Sequence, residues 1–296
     1  MTTKLLIPLL NSSVKTYKGP PLYLSDTVSI ETITPEDFTV ILSNSKSTYK
    51  SLITPKSKCV KVDNIDPQNV IETGKIESSK ISFLLNFFKK NNPISLSFVV
   101  QLSKVKKSKF DKIFDLPIIS DAHFQNVKTY SIKDDVKRDI ISKFYKVISI
   151  VHEKYPGLIL TINRFNSALY RLEPHDKIID ITICLESLIR GNTEVRHKFS
   201  LFNSWAAEGI IDNRKETYDL LMGLYDARSA IVHGAAMTEK DWNKRIKPIL
   251  DNWIKILEIT EKAIAYHILF IHDNNIEDWY KHQENIALGI EKRAAF

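Results

Sequence analysis

A chain of 296 residues is long enough for one large domain or two ordinary ones. Two is the default reading, because single hydrophobic cores stop growing near about 250–300 residues. With 43% hydrophobic and 26% charged residues the composition is that of a globular protein, which excludes a disordered or fibrous chain, and a formal net charge of +7 fits a polyanion partner without establishing one.

Taken in chain order, the opening MTTKLLIPLL is too short and too interrupted for a signal peptide or a membrane span. Residues 1–130 read as strand-rich: TVSIETIT, FTVILS and ISLSFVVQL are β-branched runs separated by Asn, Ser, Pro and Lys clusters. Alternation of Ile94, Leu96 and Phe98 with serines suggests a half-buried strand, whereas Ile81–Phe88 (ISFLLNFF) fits a strand or a short helix equally. Past residue 130 the texture becomes helical, which sets the expected domain boundary. Ser131 and Asp134 resemble a capping box for a helix to about Lys154, broken by Pro156-Gly157. A second helix is expected over Leu158–Arg171. A third should start at Pro174 and run to Arg190, with Ile178, Ile181, Leu185 and Leu188 as its apolar stripe. Thr193 could cap a fourth helix to Ala207, and a fifth should cover Asn213–His233. Thr238 with Asp241 would cap a long sixth helix, kinked or split near Pro248. Cys59 and Cys184 are far apart and have neither metal nor disulfide-framework spacing, so a reducing cytoplasm is expected.

On a wheel of about 100° per residue, the fifth helix shows an apolar arc of Leu220, Ile231, Leu224, Leu221, Val232, Tyr225, Tyr218 and Met222. Arg228 falls inside it, between Leu224 and Leu221. A guanidinium aimed at such a surface must be paired or must line a cleft, because an unpaired buried charge costs several kcal/mol. His233 projects from the edge of the arc beside Met222 and Asp226, and Gly234 is placed to end the helix.

The segment LYDARSAIVHG, Leu224–Gly234, resembles the signature of HEPN domains: an Arg, four intervening residues and a His on a late helix of a bundle. RFNSALYRLEPHDKIIDITICLESLI, Arg164–Ile189, resembles the ApeA-like branch of that superfamily, with an acidic residue in an Ile/Leu-rich helix; Asp180 and Glu186 occupy such places here. The resemblance spans about residues 131–270 and implies an all-α HEPN domain (131–296); together with the strand-rich residues 1–130, which resemble no known family and are expected to form a sensor or specificity domain, the chain reads as α+β. The resemblance further implies a metal-independent endoribonuclease without cofactor, acting as a homodimer on tRNA or mRNA in bacterial anti-phage defence, with Arg228 and His233 as catalytic residues. An imidazole can take the proton of a ribose 2′-hydroxyl and a guanidinium can hold the scissile phosphate, leaving a 2′,3′-cyclic phosphate. On one helix the two side chains lie about 140° apart, a difficulty that a second copy removes.

Plainer readings stand beside this one. Arg228 could form a structural ion pair with Glu186, or Glu186 could orient it. Asp226 is a modest site candidate, and Tyr225, on the arc, fits the core. His267 and His272 fit a core or solvated helix better than a metal pair. Arg196 and His197 could touch phosphate, as could Lys104, Lys106, Lys107 and Lys109 around Phe110, although a solvated surface suits both. Two functional alternatives remain: a non-catalytic HEPN module that binds RNA or protein, and the toxin of a toxin–antitoxin pair. A phage-derived trigger or an antitoxin is a conceivable partner; a membrane is not.

Overall fold

The computed structural model describes residues 3–10, 14–16, 21–35, 38, 58–66, 68–89, 95–96, 98–103, 112–115, 130–132, 135–190, 194–208, 211–234 and 238–291. The layout is α+β. The chain divides into two compact units, residues 1–146 and 147–296, so the division falls beyond the change of texture at residue 130.

The first unit carries an antiparallel sheet ordered β3 (Leu22–Tyr23), β4 (Val28–Thr32), β5 (Lys58–Ile65), β1 (Thr3–Leu10), β7 (Phe98–Ser103) and β8 (Lys112–Asp115), with β6 (Ser95–Leu96) also on β1. The apolar opening of the sequence is thus a central strand, and Leu5, Leu6 and Ile7 in succession are fully buried. Between the pairs Thr3–Ile65 and Leu5–Val62 the ladder gains a residue, and Asn64 takes φ +60° there, the kind of left-handed position Asn tolerates at a bulge. β2 (Val14–Thr16) pairs in parallel with β9 (Tyr130–Ile132). Ser131 therefore lies in a strand and does not cap the next helix, a correction to the expected capping box. The run ISFLLNFF belongs to helix α1 (Val70–Lys89), where Ile81, Phe83, Leu84 and Leu85 are buried. Buried Glu77 accepts hydrogen bonds from Lys80 Nζ (2.8 Å) and Tyr145 Oη (2.6 Å), which compensates for taking the carboxylate out of water. Residues 39–43 of FTVILS and the lysine run around Phe110 lie outside the described residues.

Helix α2 (Asp135–Lys154) crosses from the first unit into the second. The second unit continues with α3 (Leu158–Tyr170), α4 (Pro174–Glu186), α5 (Val195–Ala207) and α6 (Ile211–Val232). The expected sixth helix is split. Thr238 Oγ1 accepts from Asp241 N (3.1 Å) to cap Glu239–Asp241, a π-helical turn covers Trp242–Ile246, and a short helix Lys247–Asp251 ends at Asn252. Pro248 has no N–H to donate to the preceding turn, so a wider turn there is the local consequence. Then come α7 (Trp253–Asp273) and α8 (Ile276–Ala287), the latter opened by an Asn275–Asp278 capping box.

Helix α4 stops at Glu186, not Arg190. The carbonyl of Leu188 accepts from Trp279 Nε1 (2.7 Å) and Gln283 Nε2 (3.1 Å) on α8, so the chain turns where those donors reach it. Among the described residues no helix is long and apolar enough to cross a membrane.

Candidate functional site

Helix α6 packs by two kinds of residue. Of the apolar arc only Leu221 and Leu224 are fully buried, the other six residues being half-buried or exposed, whereas the small-residue flank of Ala227 and Ala230 is buried. On that flank a Cβ at Gly223 would lie 3.4 Å from Ile249 Cδ1, so the stretch after the π turn seats closely on it. Arg228, inside the arc, is half-buried. Its Nε is out of solvent and has no hydrogen-bond partner among the described residues.

The residue facing Arg228 is Glu186, at the last position of α4. It is half-buried, and burial pushes its carboxyl above the ordinary range while the charge of Arg228 pulls it back. The two are close enough to feel one another, yet they form neither a hydrogen bond nor an ion pair, so the simple structural pairing is not realised. The other acid of α4 has a different fate. Asp180, 2% exposed, accepts from Arg164 Nη1 (2.7 Å) and Arg171 Nε (2.9 Å), a complete internal arrangement that holds α3 and the following loop to α4. Of the two acids singled out from the sequence, Glu186 is the one brought to Arg228.

Past Val232 the chain leaves the helix. His233 N donates to Ser229 O (3.0 Å), Gly234 N donates to Ile231 O (3.1 Å), and Gly234 takes φ +70°. A left-handed residue there suits glycine and ends the helix with His233 exposed on the final turn. Arg228 and His233 are thus about 7.5 Å apart along the axis and on different sides of it.

The supporting candidates divide. Asp226 accepts both arms of Arg196, Nε at 2.6 Å and Nη2 at 2.5 Å, and this bond raises the pKa of the guanidinium further. Asp226 and Arg196 therefore hold α5 to α6, and neither is turned toward Arg228. The ring of Tyr225 packs tilted on Phe199, centroids 5.4 Å apart. His197 Nδ1 and Tyr218 Oη lie within hydrogen-bond distance at 2.9 Å. His267 is fully buried against Trp279 (4.7 Å, edge-on), and burial lowers its pKa to about 3; His272 lies beside Asp273 at 2.7 Å. Among the described residues no three His, Cys, Asp or Glu side chains are grouped to hold a metal.

A cleft of about 540 Å³ lies elsewhere in the second unit, bordered by Glu208, Glu216, Asp251 and Glu258 with Lys255 and Lys262. Both lysines are engaged, Lys255 by Glu216 and Lys262 by Glu208, so its field disfavours a phosphate. Thr217 on that cleft is about 16 Å along α6 from Arg228 by helical rise. At the other end of α6, the Nε of Arg228 has no acceptor among the described residues and the imidazole of His233 faces solvent. No protein-family model, no curated protein and no solved structure matches this chain.

Proposed function

We propose that the chain is a metal-independent endoribonuclease of the HEPN type, in which two copies bring their α6 helices together so that two pairs of Arg228 and His233 line one groove. The observation that supports it most is the state of Arg228, a half-buried guanidinium with an unsatisfied Nε set against a half-buried acid that does not close on it. A donor stripped of water and left without a partner is suited to a ligand oxygen.

In this reading the imidazole of His233 takes the proton of a ribose 2′-hydroxyl. The 2′-oxygen attacks the adjacent phosphorus, and the 5′-oxygen leaves with a proton from the partner's imidazole. Arg228 holds the phosphate as its charge grows, and Glu186 orients Arg228. The products are a 2′,3′-cyclic phosphate and a 5′-hydroxyl. A role in anti-phage defence follows from the family resemblance alone.

The test is cleavage of total tRNA and mRNA by purified protein in excess chelator, with the ends mapped. Arg228→Ala and His233→Ala should each abolish cleavage, and toxicity on overexpression, while the fold persists. A soluble variant of either kind that cleaves as the parent does would sink the assignment. An activity that vanishes in chelator and returns with Mg²⁺ would move the nuclease site elsewhere.

A further inference from the structure

The π-helical turn after the motif carries a feature that cleavage chemistry does not require. Lys240, Lys244, Arg245 and Lys247 stand exposed within eight residues, against Glu239 and Asp241. Arg245 reaches Asp241 only at 3.9 Å, and the three lysines have no ion pair or hydrogen bond among the described residues. Several other exposed cations of this unit are matched, Arg190 by Glu277, Arg196 by Asp226, Lys215 by Asp219 and Lys262 by Glu208, while Lys281 stands alone rather than in a cluster. In the midst of these lysines Trp242 is half-buried, its ring held edge-on by His175 at 5.2 Å.

We infer that this turn is a docking surface for single-stranded RNA, with Lys244, Arg245 and Lys247 on the phosphates and the indole of Trp242 against a base. The inference rests on the ribonuclease reading for the identity of the polyanion, and on the turn itself for its place. Unpaired ammonium groups release counterions when they meet a phosphate chain, and an indole ring offers a stacking face to any base. A turn widened by an extra residue spreads its side chains, and Thr238 caps it from one side while Pro248 limits it from the other. Its position suits the motif. The following segment seats on Gly223, which by helical periodicity faces about 80° round α6 from His233 and about 140° from Arg228. Ile249 meets Gly223 about 15 Å along α6 from His233, and the turn lies between that contact and His233 in the chain, so a strand of several nucleotides laid on it would reach the imidazole side of the helix.

The experiment is fluorescence anisotropy of labelled oligouridine RNA with full-length His233→Ala protein, titrated over a range of KCl. Lys244→Gln with Lys247→Gln should weaken binding about tenfold at low salt. It should also lower the slope of log affinity against log salt by about 1.4, at about 0.7 per lost phosphate contact on a single strand. Trp242→Leu should weaken binding about tenfold and leave that slope unchanged. Both lysines are exposed, so the double variant should melt as the parent does. Unaltered affinity and slope in the folded double variant would overturn the inference. The nuclease reading is separated by the parent protein: cleavage by the parent with undiminished binding in the lysine variant defeats this surface alone. Lost binding in the lysine variant with no cleavage by the parent defeats the nuclease reading alone.

Discussion

The two acids of α4 are opposites, and substituting each should show it. Asp180→Asn removes a carboxylate that accepts one charge-assisted hydrogen bond from each of two arginines. Each such bond contributes about 1.5–3 kcal/mol when desolvated. The Arg164 and Arg171 side chains are 38% and 48% exposed, however, so water screens both and takes up the donors that are freed. Halving the sum of about 3–6 kcal/mol, and allowing asparagine to accept one of the two bonds, leaves a loss of about 1 kcal/mol. For a unit of this size that lowers the melting temperature by about 2–4 °C. Far-UV circular dichroism on heating measures it, and RNA cleavage below the transition should match the parent.

Glu186→Gln should behave in the reverse way. Its carboxyl is held above the ordinary value of about 4.5 by burial, so its ionised form costs the folded state, and that cost is present above this pH and absent below it. The variant should therefore be as stable as the parent in acid and slightly more stable at neutral pH; on the proposed reading, cleavage falls about tenfold to a hundredfold, because Arg228 would lose the charge that orients it. An Asp180→Asn protein that melts with the parent, or a Glu186→Gln protein that melts early and cleaves normally, would refute this division of roles.

His267, whose pKa drops from 6.5 to about 3 in the folded chain, refuses a proton that the unfolded chain accepts. Stability is complete above pH 6.5 and should fall by about 1.4 kcal/mol per pH unit below it, and His267→Leu should flatten that part of the urea-melting curve; equal slopes in the two proteins would show a solvated imidazole. Val232, 52% exposed beside His233, is the clean probe of pairing between copies. Val232→Glu should give a folded monomer by light scattering that no longer cleaves, whereas Tyr225→Glu should unfold because it breaks the packing on Phe199; a fully active Val232→Glu monomer would show that one copy suffices.

What the sequence disclosed follows the range of the interactions. Pro174 at the start of α4, Thr238 with Asp241, and Gly234 after α6 were legible because each acts within one turn. Arg228 among leucines was legible because the helical period places it there. The length of α4 was not, since it depends on Trp279 and Gln283, some ninety positions away, reaching the Leu188 carbonyl. Nor was the pairing of Asp226 with Arg196 across two helices. The helical state of ISFLLNFF was ambiguous for another reason. Its helix buries Glu77, Ser78, Ser79, Lys80, Ser82 and Asn86 along with its apolar residues, so burial there does not follow hydrophobicity. On α6 the flank of Gly223, Ala227 and Ala230 escaped notice because small side chains add little to an apolar arc and yet allow the closest packing.

That flank bears on why function is placed at Arg228. Helix α6 is anchored by Leu221 and Leu224 on one side and by its small residues on another, so nothing in its packing calls for a guanidinium. Two opposite charges, half-desolvated on facing helices and not joined, make the unit less stable than two apolar side chains of similar volume would. Asp180 shows that the same helix can build a complete internal pairing, with two arginines on one carboxylate. The incomplete pair is therefore a feature of that position and not of the fold. On the reading proposed above, a local rule broken without local compensation is where a bound group completes the set, and what the Arg228 Nε lacks is an acceptor such as a phosphate oxygen.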